Sequence, residues 1–489
     1  MTYVAHPQAN PNPRVHRMNA NRRKFLKSIT AAGATLAALQ AGRNAQAAPT
    51  PSGKTAVGLA APKMAKVRWA FIGVGARGMS HLGTVLTLDN AEVVAICDNH
   101  AATLKRAADR VKARTGKDVP VFGADGDGGA WKKMLARQDI DAVLISTPWE
   151  LHTPMCVAAM ESGKHAFTEV PAALTIEECW KLVDTSERTQ KHCMMLENVN
   201  YGREELACLN MVRQGLFGEL LHGEAAYIHE LRSQMFEVEH GTGSWRTYHY
   251  ATDQGNLYPT HGLGPVAHYM DVNRGDAFDH IVSMSTPARG RALFAKAKFP
   301  PDHKWNQIKE WKCGDLSTSL IKLFSGKTIM VQWDETSPRP YSRHNYVQGT
   351  KGAYGGFPDR IAVDYAVNEL PEALRAKVKA QGGRTNYHEW DNNLGPWYDA
   401  YDHPLWKKTA EAAKKHGGHE GMDYVMLWRV QDCLLNGEAL DQSVYDAALW
   451  SAVTPLSRAS VEQGSAPQKF PDFTRGLWRT TPKLPIVGA

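Results

Sequence analysis

The sequence predicts an α/β chain in which a doubly wound domain is followed by a second α/β domain on an open, mainly antiparallel sheet. Three observations predict it. An apolar strand closes on Ile72-Gly73-Val74-Gly75-Ala76-Arg77-Gly78, and Asp98 closes the next strand about twenty residues later. Apolar strands and amphipathic helices then alternate to about Asn198, the rhythm of βαβ units. Past Asn198 the pattern changes to separated segments of strand length, which suit an antiparallel sheet.

In chain order, residues 67–72 form a strand, 76–88 a helix starting at the glycines, and 91–97 the second strand. Helices follow at 101–114 and 131–136, then the apolar run 141–146, which reads as a buried parallel strand. A helix at 151–162 and a strand at 165–168 precede helix 176–190, whose Thr175 and Glu178 have capping-box spacing. Strand 192–196 closes the first domain, expected over 66–198. In the second domain, 199–489, strands are predicted at 223–229, 281–285, 317–324 and 328–333. Segments 341–393 and 395–419 are turn-rich and aromatic and are expected to be ordered loops over a cleft. No internal repeat is evident.

The chain has 489 residues, 43% of them hydrophobic and 22% charged, ample for two domains. Its net charge of +7 is concentrated at the start, where Arg14, Arg17, Arg22, Arg23, Lys24, Lys27 and Arg43 occur without an acidic residue. No basic run interleaved with aromatics argues for nucleic acid. Arg22-Arg23-Lys24-Phe25-Leu26-Lys27, a mildly apolar Ala- and Gly-rich stretch and Ala45-Gln46-Ala47 are similar to a twin-arginine signal peptide over 1–47. This implies the twin-arginine translocase as an export partner, a periplasmic or secreted enzyme, and no membrane association after cleavage. Residues 48–65, rich in Pro, Gly and Ala, read as a flexible linker. The seven cysteines are scattered without a CxxC pair, so buried free thiols are expected.

The glycines point to a dinucleotide. Gly73 permits a tight turn, Gly75 lets the backbone approach a pyrophosphate, Gly78 allows close helix packing, and the helix N-terminus presents free N–H groups. Asp98 accepts from ribose hydroxyls and repels a 2′-phosphate, favouring NAD over NADP. Ser146-Thr147-Pro148-Trp149-Glu150-Leu151-His152 follows a buried strand, where ligands of open α/β sheets lie, and places Trp149 and His152 toward the cofactor. His152 as a mere helix cap is the competing reading. No metal site is expected: His416-Gly417-Gly418-His419 has two histidines on a flexible loop with no acidic or cysteine cluster.

With Glu169-Val170-Pro171 after the fifth strand, the chain resembles the Gfo/Idh/MocA oxidoreductases. Val170 departs from their pattern, which has a lysine there that assists proton transfer in sugar dehydrogenases. Longer strings resemble glycoside hydrolase family 109: Leu196-Glu197-Asn198, the run from Asn210 to Glu219, Tyr227-Ile228-His229-Glu230-Leu231-Arg232, Tyr258-Pro259-Thr260-His261-Gly262, Arg339-Pro340-Tyr341 and Gly421-Met422-Asp423-Tyr424. Glu420 replaces a glycine more usual in that family's string. The resemblance implies an NAD-dependent glycosidase typified by α-N-acetylgalactosaminidase, acting on a terminal hexosamine or hexose. It works by transient oxidation at C3, loss of the C2 proton, elimination, addition of water and re-reduction, an exception to two-carboxylate hydrolysis.

The resemblance also implies roles. His261 is the first choice to take the hydroxyl proton at C3. Tyr258 and Tyr227 are candidates for the C2 proton, and Tyr227, Arg246, Tyr258, His261 and Tyr341 for binding the sugar. Gly73, Gly75, Arg77, Gly78, Asp98, Trp149, His152, Glu169, Val170 and Asn198 are expected to face NAD. The competing readings are an exported NAD(P)-dependent sugar oxidoreductase and a carbohydrate-binding protein that keeps NAD as structure. The family's open sheet face also admits a homodimer.

Overall fold

The computed structural model describes residues 54–237, 240–384 and 388–488, so the segment read as a signal peptide lies outside the described residues. The first sheet has six parallel strands in the order β3-β2-β1-β4-β5-β6. They are β1 (Val67–Ile72), β2 (Ala91–Cys97), β3 (Val121–Phe122), β4 (Ala142–Ile145), β5 (His165–Thr168) and β6 (Cys193–Met195). This is the doubly wound arrangement in which ligands sit beyond the carboxyl ends of β1 and β4, where the strand order reverses. β4 and β5 are buried along their whole length because helices cover both faces, so their sequences run apolar without alternation. Only β3 was unforeseen; its two residues are too short and too exposed to leave a pattern.

Helix Ile176–Thr189 starts as its sequence implies: Thr175 Oγ1 accepts from the Glu178 N–H at 3.1 Å, and Glu178 Oε2 accepts from the Thr175 N–H at 3.2 Å. Such reciprocal bonds satisfy donors that a helix start leaves free.

The second sheet has eight strands in the order β13-β12-β11-β7-β10-β9-β8-β14. Its strands are β7 (Leu220–Ile228), β8 (Phe278–Ser285), β9 (Ser317–Leu323), β10 (Thr328–Asp334), β11 (Tyr346–Gly349), β12 (Gly352–Gly355), β13 (Arg360–Val363) and β14 (Gln468–Lys469). Pairing is antiparallel except between β7 and β10. Two expectations need correction here. Segment 341–393 is not all loop: it supplies β11, β12, β13 and helix Glu372–Ala380. Segment 395–419 is largely helical, with helices Gly395–Tyr401 and Pro404–His416. Short strands flanked by glycines leave too few alternations to read.

The two sheets are joined by more than one crossing of the chain. Helix Met422–Asn436 lies far along the sequence but covers one face of the first sheet, where Val425, Met426, Leu427, Val430 and Leu434 pack with Trp69, Phe71, Leu144 and Phe167. Trp69 Nε1 donates to Gln431 Oε1 across this contact at 2.9 Å. The stretch read as a flexible linker is also docked where it is described: Ala56 and Ala61 are buried, the Ala56 N–H donates to Tyr445 Oη, and the Met64 N–H donates to the Leu434 carbonyl. Its small residues let the backbone lie against the helices. All seven cysteines are free and buried.

Candidate active site

Two cavities, which share no lining residue, lie near the carboxyl ends of the first sheet. The larger part of one, of about 390 Å³, is walled by the glycine-rich turn, Asp98, the loop from Ser146 to His152, Glu169 and Val170. At Gly73, with φ +80°, a Cβ would stand 2.5 Å from the Ser146 carbonyl, and at Gly78 it would stand 2.0 Å from that of Gly73. Side chains are therefore excluded from the turn. Asp98 Oδ2 accepts from the Val74 N–H and Oδ1 from the His100 N–H, both at 2.9 Å, which orients its carboxylate at the end of β2. Ser146 Oγ lines this cavity, buried and without a hydrogen-bond partner. A dinucleotide fits this cradle: a bare glycine turn, a fixed carboxylate at the ribose position and an unsatisfied hydroxyl.

A strap from the second domain, unforeseen from sequence, completes the wall. His240, Gly241, Thr242 and Gly243 line the cavity, and Gly241 approaches Gly75 so closely that a Cβ there would lie 2.7 Å from Gly241 Cα. The Ala76 N–H donates to the Gly241 carbonyl at 2.8 Å, and His240 Nε2 lies 3.1 Å from Asp98 Oδ1. The close approach that Gly75 permits is thus made, in this structure, by the strap.

Arg77, His152, Glu169 and Asn198 were expected to face the cofactor, and the structure divides them. Arg77, His152, Glu169 and Val170 line the first cavity, whereas Asn198 lines the second. Arg77 donates to Glu169 Oε1 at 2.6 Å and, through both terminal nitrogens, to Asp423 at 2.6 Å and 2.9 Å. Asn198 Nδ2 donates to the same Asp423 at 2.8 Å, and His419 Nδ1 lies 2.9 Å from it. Burial pushes the Glu169 and Asp423 carboxyls up, but Arg77 with His81 for the first, and His419 with Arg77 for the second, outweigh it and hold both well below the usual range. His152 is fully enclosed, its Nδ1 2.6 Å from the Pro171 carbonyl and its Nε2 2.8 Å from that of Thr147. Burial pulls its pKa down against the opposing pull of the two carbonyls, and the ring ties together the loops that follow β4 and β5.

The second cavity, of about 470 Å³, is lined by Tyr227, His229, His261, Tyr341 and Arg343 together with Glu204, Glu205, Asp359, His419 and Glu420. The end of β7 carries Tyr227 and His229; helix Thr260–Tyr269 carries His261 near its first turn. That helix abuts β7 at Gly262, where a Cβ would fall 2.2 Å from the Ala226 nitrogen. Consequently the His261 ring stands 5.0 Å from Tyr227 and 4.9 Å from Tyr258, centre to centre.

Tyr258 links the residues of the two cavities, and Arg246 lines the first. The Tyr258 ring lies 6.0 Å from Trp149, in the first cavity, and 4.7 Å from Tyr227, in the second, while the Arg246 guanidinium lies 4.9 Å from the Tyr258 ring centre. Four of the five residues expected to bind sugar, together with Trp149, thus form one cluster, and Tyr341 joins it 6.3 Å from Tyr227.

Several partners escaped the sequence reading. Glu197 Oε1 lies 2.7 Å from His261 Nδ1 and orients the ring. Glu335, just past β10, is fully buried, accepts from Tyr250 Oη, and is raised by burial despite the opposing charge of Arg246. Tyr227 Oη lies 2.9 Å from His229 Nδ1, and burial and the nearby His261 hold His229 below the usual histidine value. Burial raises both phenols, Tyr227 well above the usual value, with Arg246 opposing. Of these partners, only Glu197, His229 and Asp423 stood inside strings singled out in the sequence.

Comparison with known proteins agrees with this geometry. The family profile "Oxidoreductase family, NAD-binding Rossmann fold" matches residues 67–197, and "Glycosyl hydrolase 109, C-terminal domain" matches residues 201–480. A glycosyl hydrolase family 109 protein of Shewanella baltica is 57% identical over 96% of this chain and 100% of its own length. An alpha-N-acetylgalactosaminidase of Shewanella oneidensis is 56% identical with the same coverage. The fold is shared with an NAD binding oxidoreductase from Klebsiella pneumoniae (TM-score 0.61, 15% identity, 83% of this chain and 99% of that one). It is also shared with a scyllo-inositol dehydrogenase from Lactobacillus casei solved with NAD(H) and scyllo-inositol (TM-score 0.54, 14% identity, 83% and 99%).

Proposed function

The chain belongs to glycosyl hydrolase family 109, an NAD-binding glycoside hydrolase, and from that premise we propose that it is an exported α-N-acetylgalactosaminidase-like enzyme that cleaves by reversible oxidation of the sugar. The observation that carries this reading is the Tyr227, Tyr258, His261 and Arg246 cluster, in which Arg246 lines the dinucleotide cavity, Tyr227 and His261 line a sugar-sized cavity, and Tyr258 contacts all three. The glycine turn, Asp98, Trp149 and the strap would hold NAD, which when bound would supply the transient oxidation at C3 of the sugar that acidifies the C2 proton and permits elimination of the glycosidic group.

The remaining chemistry falls to side chains. His261, oriented by Glu197, takes the C3 hydroxyl proton and returns it after water has added. Arg246 faces negative charge developing on the C3 oxygen from beside Tyr258. Tyr227 takes the C2 proton as its own moves to His229 Nδ1, 2.9 Å away. That relay lets a phenol with a raised pKa serve as base. Val170 has no ionisable group to assist proton transfer, in keeping with a site that returns its reducing equivalents to the sugar.

Export rests on the paired arginines, mild apolar stretch and small-residue site of the first 47 residues. Met284 and Leu320, exposed on the neighbouring strands β8 and β9, support a homodimer through the open sheet face.

The test is incubation of NAD-supplied protein with α- and β-linked nitrophenyl glycosides, N-acetylgalactosaminide included, in deuterated water. Release of nitrophenol with deuterium at C2 is the expected result. Accumulation of reduced nicotinamide without release would establish a sugar oxidoreductase instead, and release without deuterium would refute the elimination route.

A further inference from the structure

Glu335 is a fully buried carboxyl that the proposed reaction does not use, and its place follows from the second sheet. Trp333, near the end of β10, pairs in register with Tyr227 on the parallel strand β7, so the two side chains leave the same face of the sheet. Helix Arg246–Thr252 lies over that face. The Tyr250 ring stands 5.8 Å from the Trp333 ring, centre to centre, and Tyr250 Oη donates to Glu335 Oε2 just beyond the strand.

Glu335 itself is fixed by its own backbone. Its carbonyl accepts from the Leu231 N–H at 3.1 Å and from Arg291 Nη2 at 3.0 Å. Arg291, on helix Gly290–Lys298, also lies over the Tyr250 ring, its guanidinium 3.8 Å from the ring centre. The phenol that reaches Glu335 is therefore packed by Trp333 and Arg291 and has little freedom to point elsewhere.

Arg246 stands one helical turn before Tyr250, on the same side of the helix. Among the described residues no hydrogen bond or ion pair holds its guanidinium, and Nε is buried without a partner. Three rings surround it instead: Trp149 at 5.5 Å, Trp245 at 5.6 Å and Tyr258 at 4.9 Å. Attraction to ring faces is spread over several positions, so the rings alone do not fix the guanidinium as a fork of hydrogen bonds would. What fixes it must come through the helix that carries it. The other carboxyls near the reaction cluster are engaged elsewhere, Glu169 with Arg77 and His81 and Glu197 with His261.

We propose that Glu335 is a positioning residue for oxidation at C3: by accepting from Tyr250 it pins the helix turn that carries Arg246, and so holds the guanidinium beside Tyr258, where charge develops on the C3 oxygen. The assignment rests on the sugar-oxidation reading for what Arg246 does there.

The test uses NAD-loaded protein in two arms. The first follows the absorbance of reduced nicotinamide in a single turnover after mixing with N-acetylgalactosamine, and its concentration dependence gives the sugar affinity. Tyr250→Phe and Glu335→Leu should each slow the step about tenfold or more, with affinity changed less than about threefold, because a displaced Arg246 is missed in the transition state rather than in the bound sugar. Glu335→Gln still accepts from Tyr250 and should stay within about threefold of wild type. In an Arg246→Met background, Tyr250→Phe should slow the step less than about twofold further, since the group it positions is gone. A general loss of packing would slow both backgrounds alike.

The second arm compares crystal structures of wild type and Tyr250→Phe, in which the Arg246 guanidinium should leave its place beside Tyr258. Equal slowing in both backgrounds, a Glu335→Gln as slow as Glu335→Leu, or a guanidinium unmoved in Tyr250→Phe would overturn the assignment. If Glu335→Leu fails to fold, Tyr250→Phe breaks the same bond by the loss of one hydroxyl. Wild type that forms no reduced nicotinamide would count against the oxidation reading alone, because the crystal structures still judge what holds Arg246.

Discussion

Asp423 ties together the two cavities, and removing its carboxylate tests whether that tie is structural. The side chain is fully buried and accepts two bonds from Arg77 and one from Asn198, with His419 in contact. In Asp423→Ala the Arg77 guanidinium loses one of its two carboxylates, and Asn198 Nδ2 loses its acceptor. Breaking a buried ion pair by deleting one member costs about 3–5 kcal/mol. Arg77 keeps Glu169 at 2.6 Å, so the lower end applies, about 3 kcal/mol. The assay is denaturant unfolding of wild type, Asp423→Ala, Arg77→Met and the double variant. With both partners gone neither charge of that pair is stranded, and Glu169 loses Arg77 alike in the single and double variants, so the double variant should be less destabilised than the two single changes summed, with a coupling of about 2 kcal/mol. Because Arg77 lines the dinucleotide cavity, NAD should also dissociate faster from Asp423→Ala. A loss under about 1 kcal/mol together with additive single changes would refute the reasoning.

Three further outcomes follow from the same geometry. Gly75→Ala places a Cβ 2.7 Å from Gly241 Cα and should displace the strap, so that NAD leaves at least about tenfold faster in stopped-flow fluorescence; an unchanged rate would show that the strap holds nothing. Glu197→Gln should lower kcat by about 10–100-fold with KM nearly unchanged, since His261 loses the carboxylate that orients it; an equal rise in KM would place Glu197 in binding instead. Glu204 retains in the folded state a proton that the unfolded chain releases near 4.5, because its folded pKa is raised to about 7. It therefore costs stability that is absent below pH 4.5, accumulates as pH rises to about 7 and is complete above it, amounting to at most about 3 kcal/mol. Glu204→Gln should accordingly be more stable than wild type above pH 7 and equal to it near pH 4.5; an advantage that shrinks with rising pH would contradict the shift.

Much of the first sheet was legible because its interactions are local or repetitive. β1, β2 and β5 were predicted at their observed bounds, since β1 is an almost continuous apolar run closed by Gly73, and the charged Asp98 and Glu169 follow the ends of β2 and β5. The glycine turn was legible for a similar reason: the Gly73 carbonyl leaves no room for a side chain on Gly78, five residues on in the same turn. By contrast β11, β12 and β13 are four residues each, and a helix beginning at Met422 covers a strand beginning at Val67 without leaving any periodic trace in either.

The sequence by itself determined that the chain carries a dinucleotide-binding turn, and through strings that resemble a known family it gathered Tyr227, Tyr258 and His261 as candidates for the chemistry. Tertiary structure alone decided which groups control them. Asp423 reaches Arg77 across 346 residues, Glu197 reaches His261 across 64, and Gly241 reaches Gly75 from another domain. Burial and opposite charge set the protonation of such groups, and both depend on neighbours in space that sequence spacing does not encode.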